Sequence, residues 1–526
     1  MPPVRVFPVL SGPVRMALAA LAGLALPLTL APFDLWWLGP GVVAALLWLL
    51  WRAGDARAGF WTGWAYGVGK FGLGVSWIYV SIHDYGHASP LLAGFLVALF
   101  VCALALFHGA FGALFVARFG VAADGTGNRA AGLGRGMRSA LAFAGLWLLL
   151  DWVFTWVLTG FPWLLLGYGH LDSPLAGYAP LLGVHGVTAI VVLSGVLLAL
   201  LAWPQPARID GAVTGRNRWL VPLLLTMFWG GGWFARQVQY VQPLLPRDVA
   251  LVQGNIPQDT KWNPAFVQRT LDTYVGLSAA HEDADILLWP EAAVTLLLED
   301  AGPFLDEMGR RTAARGGALV TGIVSWRREE GIRNLTVVVG RGEGVYTKRR
   351  LVPFGEYVPL AGLLRGLIGF FDLPMSHTEP GAPVQPLLRV GEAKIAMAIC
   401  YEVVYPELVR EQARDANLLA TVSNDTWFGA SIGPLQHLQM ARMRALELGR
   451  FMLRATNNGV TAVIDSRGSI VAQLPQFEPG VLRGQVWLMA GDTPYARFGD
   501  TPVLILLVGL IGLGWRRGTT GRAAAA

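Results

Sequence analysis

Two textures alternate along this chain of 526 residues. Through the first 235 residues, and again near the C-terminus, apolar residues run almost unbroken for lengths that suit a bilayer, a pattern that fits helices apolar on every side. Such runs lie at about 16–32, 35–51, 59–80, 91–117, 138–159, 179–203, 219–235 and 498–515. They predict eight transmembrane helices, seven before a polar stretch and one after it. The first is not read as a cleavable signal, because a second span follows at once and no small-residue cleavage site separates them.

From 248 onward the apolar runs shorten and turn residues break them. Strands are predicted at 249–252, 286–289, 318–324, 335–339, 345–348, 395–399, 418–422 and 461–464, with helical runs at 264–281, 303–315, 406–416 and 434–450. Glu343-Gly344 and Ser466-Arg467-Gly468 read as hairpin turns. Strands and helices mixed in this order predict layered sheets flanked by helices. Three units follow: a membrane bundle at 1–235, a polar domain at 236–497, and a last span with its tail at 498–526.

Composition agrees with the pattern. A hydrophobic fraction of 54% and a charged fraction of 14% exclude an ordinary soluble protein. The net charge of +6 invites a nucleic-acid partner, but its distribution excludes one: residues 236–497 hold 26 Lys and Arg against 27 Asp and Glu. The basic excess therefore sits beside the spans. Arg52 and Arg57, then Arg118, Arg129, Arg135 and Arg138, then Arg208, Arg216 and Arg218 fall on one side, while the loops at 81–90 and 160–178 contain no Lys or Arg. The excess of basic loops on the cytoplasmic side predicts cytoplasmic termini and a 236–497 domain on the opposite, periplasmic face.

Candidate chemistry lies where apolar strands end. Lys394-Ile-Ala-Met-Ala-Ile-Cys400-Tyr401-Glu402 delivers a thiol at a strand-to-helix corner, with Pro406 opening the next helix. Ile286-Leu-Leu-Trp-Pro-Glu291 is a second apolar run that ends in a carboxylate. The stretch Tyr346-Thr-Lys348-Arg349-Arg350 and its continuation to Glu356 carry a lysine and another glutamate. Only four of the 41 basic residues are lysine (Lys70, Lys261, Lys348, Lys394), so an amine at 348 beside two arginines is unusual for this chain. Cys102 lies inside an apolar run, which excludes a disulfide with Cys400. Scattered histidines and two cysteines build no zinc site, and phosphate-binding and dinucleotide fingerprints are absent, so no metal and no cofactor is expected.

Glu291, Lys348 and Cys400, in that order on these three frames, resemble the nitrilase (carbon–nitrogen hydrolase) superfamily. Joined to the spans, they resemble its membrane-embedded branch, the apolipoprotein N-acyltransferases. Val252-Gln-Gly-Asn-Ile-Pro-Gln258, Lys261-Trp262-Asn-Pro264, Ser423-Asn-Asp-Thr-Trp427-Phe-Gly429, Gln436-His437 and Arg454-Ala-Thr-Asn-Asn-Gly459 carry the same resemblance. It implies an α/β domain, a nitrilase-like αββα sandwich, inserted in the helical bundle. It also implies Cys400 as nucleophile, Glu291 as general base and Lys348 as stabiliser of the oxyanion, with Glu356, Glu402 and Tyr401 in support. Trp262, Trp427, Trp163, Phe370 and Phe371 are the expected lipid-contacting residues. The implied reaction moves an acyl chain from a membrane phospholipid to the N-terminal S-diacylglyceryl cysteine of an apolipoprotein, catalysed by a monomer. A membrane-tethered amidase using water as acceptor is the alternative.

Three further stretches leave expectations open. The loop at 160–178 reads either as an interfacial aromatic anchor or as a lipid-facing wall under the site. Lys70 and Asp151 lie mid-span and are expected to pair within the bundle, and His108 is expected to be a packed interior residue. Leu360 to Pro374 is too apolar for a solvated loop and too short to span, which suggests an amphipathic arm that dips into the outer leaflet and opens a side entrance to Cys400, with a core helix as the alternative.

Overall fold

The computed structural model describes residues 10–121, 129–201, 219–358 and 377–515. The apolar runs fold as helices Gly12–Ala25, Leu38–Trp51, Ala56–Gly74, Pro90–Phe119, Arg129–Val153, Ala179–Leu201 and Leu220–Ala235, with Thr501–Trp515 after the sheets. Among the described residues, four segments are long and apolar enough to cross a membrane: Gly12–Thr29, Pro90–Phe119, Gly136–Val153 and Pro174–Leu201. Leu38–Trp51, Leu220–Ala235 and Thr501–Trp515 are shorter apolar helices. Ala56–Gly74 belongs to neither group, because glycines, Arg57 and Lys70 dilute its hydropathy. Its glycines serve packing instead. A Cβ on Gly63 would lie 2.0 Å from the His108 carbonyl oxygen, so glycine lets this helix meet Pro90–Phe119 backbone to backbone.

Polar groups inside the bundle are enclosed. Lys70 and Asp151 are both buried and interact electrostatically, and Trp147 Nε1 donates to Asp151 Oδ2 at 2.9 Å. His108 packs its ring against Tyr66, Phe71 and Phe154.

Fourteen strands, numbered along the chain, form two seven-stranded sheets among the described residues. The first runs β14 (Gly480–Ala490), β1 (Gln242–Gln253), β2 (Ile286–Leu288), β4 (Ala318–Arg327), β5 (Gly331–Gly340) and β7 (Val345–Thr347), with β3 (Val294–Leu297) beside β4. The second runs β13 (Ile470–Gln473), β12 (Ala462–Ile464), β11 (Met452–Thr456), β10 (Leu418–Ser423), β9 (Ala393–Ile399), β8 (Leu388–Val390) and β6 (Gly342–Glu343). Central strands are parallel in both, β1 with β2 and β4, and β9 with β10 and β11.

Period-two geometry sorts β9 between two cores. Ile395, Met397 and Ile399 face Val249, Leu251, Leu288 and Val320 between the sheets. Ala396 and Ala398 face outward, into a cluster continuous with the helical bundle. Burial on both sides explains why β9 reads as an unbroken apolar run. Each large side chain so enclosed contributes about 1.5–3 kcal/mol.

The outer layers differ in kind. Helices Val267–Ser278 and Gly302–Ala314 cover the first sheet through Leu271, Tyr274, Leu305 and Met308 and leave their other faces to solvent. Pro406–Gln412 and Gly433–Leu448 cover the second sheet, and the bundle in turn covers Gly433–Leu448, of which only Leu435 and Arg442 escape full burial. The polar residues of this helix must therefore find partners inside. Gln436 Oε1 accepts from Trp163 Nε1 at 2.6 Å, Gln439 Oε1 from Ala31 N at 3.1 Å, and Glu447 Oε1 from Val184 N at 2.6 Å.

Candidate active site

β9 ends at Ile399, and Cys400 turns the chain with φ of 52° into the short 3-10 turn Cys400–Val404. That left-handed conformation costs an L-residue roughly 1–2 kcal/mol and needs local ties. Two are present. His437 Nε2 lies 3.1 Å from the Cys400 carbonyl oxygen, and the Ile399 N–H donates to Glu402 Oε2 at 2.7 Å. Glu402 also accepts from Tyr346 Oη at 3.0 Å, from Arg349 N at 2.6 Å and from Arg350 N at 3.1 Å. One buried carboxylate thus clamps the Cys400 turn to the segment that carries Lys348.

Glu291 and Lys348 reach the same place from the other sheet. Glu291 follows β2, and its segment lies across β4 where Gly322 leaves room; a Cβ there would come 2.5 Å from Ala292 N. Lys348 follows β7 and is 1% exposed. Its Nζ donates to Glu356 Oε1 at 2.8 Å and to Glu291 Oε1 at 3.2 Å. Asn334 Nδ2 donates to Glu291 Oε1 at 2.8 Å, and Asn424 N to Glu291 Oε2 at 2.8 Å. Lys261 Nζ donates to the Glu291 carbonyl oxygen at 3.0 Å.

These contacts set the protonation states. Burial opposes the Lys348 ammonium, but Glu291 and Glu356 outweigh it and hold its pKa well above the ordinary lysine value. Burial likewise opposes the Glu291 carboxylate, and Lys348 and Lys261 outweigh that, so it stays ionised. Burial first, then the Glu291 charge, push the Cys400 thiol well up. The resting site is therefore a neutral thiol beside a carboxylate and an ammonium. Burial lowers Lys261 to about 8, against the pull of Glu291 and Cys400.

Beneath Cys400 lies a second network. Asp425 accepts from Ser423 Oγ at 2.6 Å and Arg454 Nη2 at 2.6 Å, and His437 Nδ1 lies 3.1 Å from Asp425 Oδ1. Trp163 stacks on His437 at 5.9 Å and on Tyr401 at 6.3 Å between centroids. It is 1% exposed, so this part of the 160–178 loop is an internal wall rather than an interfacial anchor. The Tyr401 hydroxyl donates to Gly160 O at 3.3 Å, away from the lysine cluster, so its backbone N–H is what it can offer an oxyanion. Trp262 is exposed, while Trp427 is half-buried against Tyr85, with its carbonyl accepting from Ser81 Oγ at 2.7 Å. Phe370, Phe371 and the proposed arm at 360–374 lie outside the described residues.

Two family models cover most of this architecture. The apolipoprotein N-acyltransferase N-terminal domain matches residues 22–197, and the carbon-nitrogen hydrolase domain matches 248–490. An apolipoprotein N-acyltransferase of Pseudomonas paraeruginosa is 48% identical over 501 residues, 94% of each chain. The chain belongs to the apolipoprotein N-acyltransferase family. Another relative of that name, from Azotobacter vinelandii, is 46% identical over 96% of each chain. Among solved structures, Saccharomyces cerevisiae Nit3, a member of the nitrilase superfamily, covers 48% of this chain and 92% of its own at 18% identity and a TM-score of 0.36.

As an apolipoprotein N-acyltransferase, the protein is a membrane-bound acyltransferase of lipoprotein maturation, with a nitrilase-like domain and a helical N-terminal region. Within that frame, sequence reasoning passed over Asn334, and it placed Asp425, His437 and Arg454 in motifs of the family resemblance without giving them a role. Asn334 carried no signal, being one polar residue inside β5. His437 and Arg454 did: each is polar within a run of otherwise buried positions, which requires a partner.

Proposed function

We propose that acyl transfer proceeds in two steps through a thioester on Cys400. In the first, the thiol attacks an ester carbonyl of a phospholipid while Glu291 takes its proton. The S–C bond forms, the C–O bond breaks, and Glu291 returns the proton to the leaving glycerol oxygen, releasing a lysophospholipid. In the second, the α-amino group of an S-diacylglyceryl cysteine attacks the thioester. The C–N bond forms, the C–S bond breaks, and the proton passes through Glu291 back to the thiolate. Lys348 has three N–H donors and spends two on Glu356 and Glu291, which leaves one for the tetrahedral oxyanion in each step. That shared ammonium beside a buried neutral thiol is the observation that carries the reading.

The same proposal assigns as spans the seven apolar helices and Ala56–Gly74 with them, with the termini cytoplasmic and the 236–497 domain on the periplasmic face. The Lys- and Arg-free loops on one side of the bundle support it, and so does the seating of Gly433–Leu448 against Trp163, Ala31 and Val184. Both substrates would then meet the thiol at the membrane surface.

Two experiments test this. Purified enzyme given phospholipid alone should release about one lysophospholipid per protein and stop until acceptor is added, as ping-pong kinetics require. Continuous release with free fatty acid and no acceptor would favour hydrolysis by water. On intact cells, in a Cys102→Ser, Cys400→Ser background, a membrane-impermeant maleimide should label His87→Cys and spare Arg57→Cys; the reverse would invert the topology.

A further inference from the structure

A cavity of about 370 Å³ opens at the seam between the catalytic domain and the bundle, and neither Cys400 nor Lys348 lines it. Its walls come from the end of helix Arg129–Val153 and the residues after it (Trp152, Thr155, Trp156), from the start of Thr501–Trp515 (Thr501, Leu504), and from Arg349, Arg350 and Tyr405.

Charges on the wall are mostly spoken for. Arg410 pairs with Glu407, Arg349 Nη2 lies 3.6 Å from Glu411 Oε2, and Asp500 Oδ1 lies 3.1 Å from His185 Nδ1. Arg350 is different. Its guanidinium stands 5.5 Å from the Tyr405 ring centroid, exposed, and among the described residues it forms no ion pair. Arg350 is therefore the one wall cation without an ionic partner among the described residues, on a wall whose other charges are Arg349, Arg410, Glu407, Glu411 and Asp500, and its planar donors suit a phosphate.

Apolar rings share the exposed part of the wall with these charges. Trp156 is 50% exposed and Phe498 63%, and Trp152 packs edge-on against Trp156 at 5.4 Å. Exposed aromatic rings at the end of an apolar helix mark the membrane–water boundary. An exposed cation beside exposed aromatic rings fits an anion attached to acyl chains better than a free anion.

We propose that this cavity is a phospholipid headgroup site, in which Arg350, with Arg349 beside it, binds the phosphate while the chains descend past Trp152, Trp156 and Leu504. The proposal rests on the membrane seating inferred above. It ties lipid binding to the catalytic segment, because the backbone N–H groups of Arg349 and Arg350 hold Glu402, and Lys348 is the preceding residue.

The test uses the full chain carrying Cys400→Ser, so that binding is read without acyl transfer and the result stands whatever becomes of the thioester mechanism. A phosphatidylglycerol with a diazirine near the start of one acyl chain is photolysed with the protein in detergent, and adducts are mapped by tandem mass spectrometry. Label is expected on residues 152–156 or 501–504. Arg350→Gln should reduce it about five-fold, the effect of roughly 1 kcal/mol for one basic residue at a lipid surface. Arg350→Lys should restore most of it. Equal labelling by a diacylglycerol bearing the same diazirine would overturn the phosphate assignment. Full competition by inorganic phosphate would make this a plain anion site and overturn the lipid assignment. Label unchanged in Arg350→Gln would overturn the role of that residue and the site with it.

Discussion

Two buried ionic clusters flank Cys400, built from similar groups to different ends. On one side, Glu291 and Glu356 share the single ammonium of Lys348, which keeps a donor unspent. On the other, Asp425 faces Arg454, His437 and Ser423, with a partner on each of its two oxygens. Burial opposes the Asp425 carboxylate, but Arg454 and His437 outweigh it and hold its pKa well below the ordinary range. The first cluster can exchange a proton and take up new negative charge. The second can only hold, and what it holds, through His437, is the carbonyl of the strained Cys400. On the proposed mechanism the first cluster serves chemistry and the second serves geometry.

Glu291→Gln puts the contrast to its hardest test. Acyl transfer should fall by about 10²–10⁴-fold as proton transfer is lost. The circular dichroism spectrum and membrane insertion should be unchanged, because Lys348 keeps Glu356. Unfolding of this variant would make the first cluster structural. Lys348→Arg should lose about 10²–10³-fold, since a planar guanidinium cannot follow an oxyanion as a compact ammonium does. Activity close to wild type would reduce Lys348 to a buried counter-ion.

Asp425→Asn should act in the opposite sense. It leaves Arg454 buried with its charge unmatched, which costs about 3–5 kcal/mol and lowers the thermal midpoint, while transfer per folded molecule at low temperature drops far less than in Glu291→Gln. If Asp425→Asn abolished transfer with its thermal midpoint unmoved, the division between chemistry and geometry would fail.

How much of this the chain declares depends on where each residue sits along its strand. Glu291 and Cys400 each follow a short apolar run, so the ends of β2 and β9 were legible; Lys348 stood out as a rare lysine beside two arginines, and Glu356 and Glu402 came from the family resemblance. β11 was not legible, because Met452-Leu-Arg-Ala-Thr456 carries Arg454 in a central, wholly buried strand, and only the distant Asp425 makes that tolerable. β14 hid behind Gly480 and Gly484, which lower strand propensity although eleven of its residues pair with β1 in long register. Trp163 carried two readings because an aromatic residue between spans anchors at an interface as readily as it packs inside. The decision came from Tyr401 and His437, more than 200 residues away.

The smallest expected effect concerns Lys261, behind the first cluster. Its pKa of about 8 in the folded state lies below the ordinary lysine value, so the unfolded chain binds the extra proton more tightly. Stability should therefore rise with pH between about 8 and 10.4. Thermal melts of wild type and Lys261→Met across that window should diverge, with wild type gaining a few degrees relative to the variant. Parallel curves would remove Lys261 from the electrostatics of the site.

The central claim is that Cys400 carries the acyl chain between the two substrates. Intact-protein mass spectrometry of the detergent-purified enzyme, incubated with phospholipid and no acceptor, reads this directly. The expected result is a single acyl adduct, mapped to Cys400, that disappears when a diacylglyceryl-cysteine lipopeptide is added and never forms in Cys400→Ser. Transfer that proceeds in wild type without any adduct on Cys400, or persists in Cys400→Ser, would contradict it.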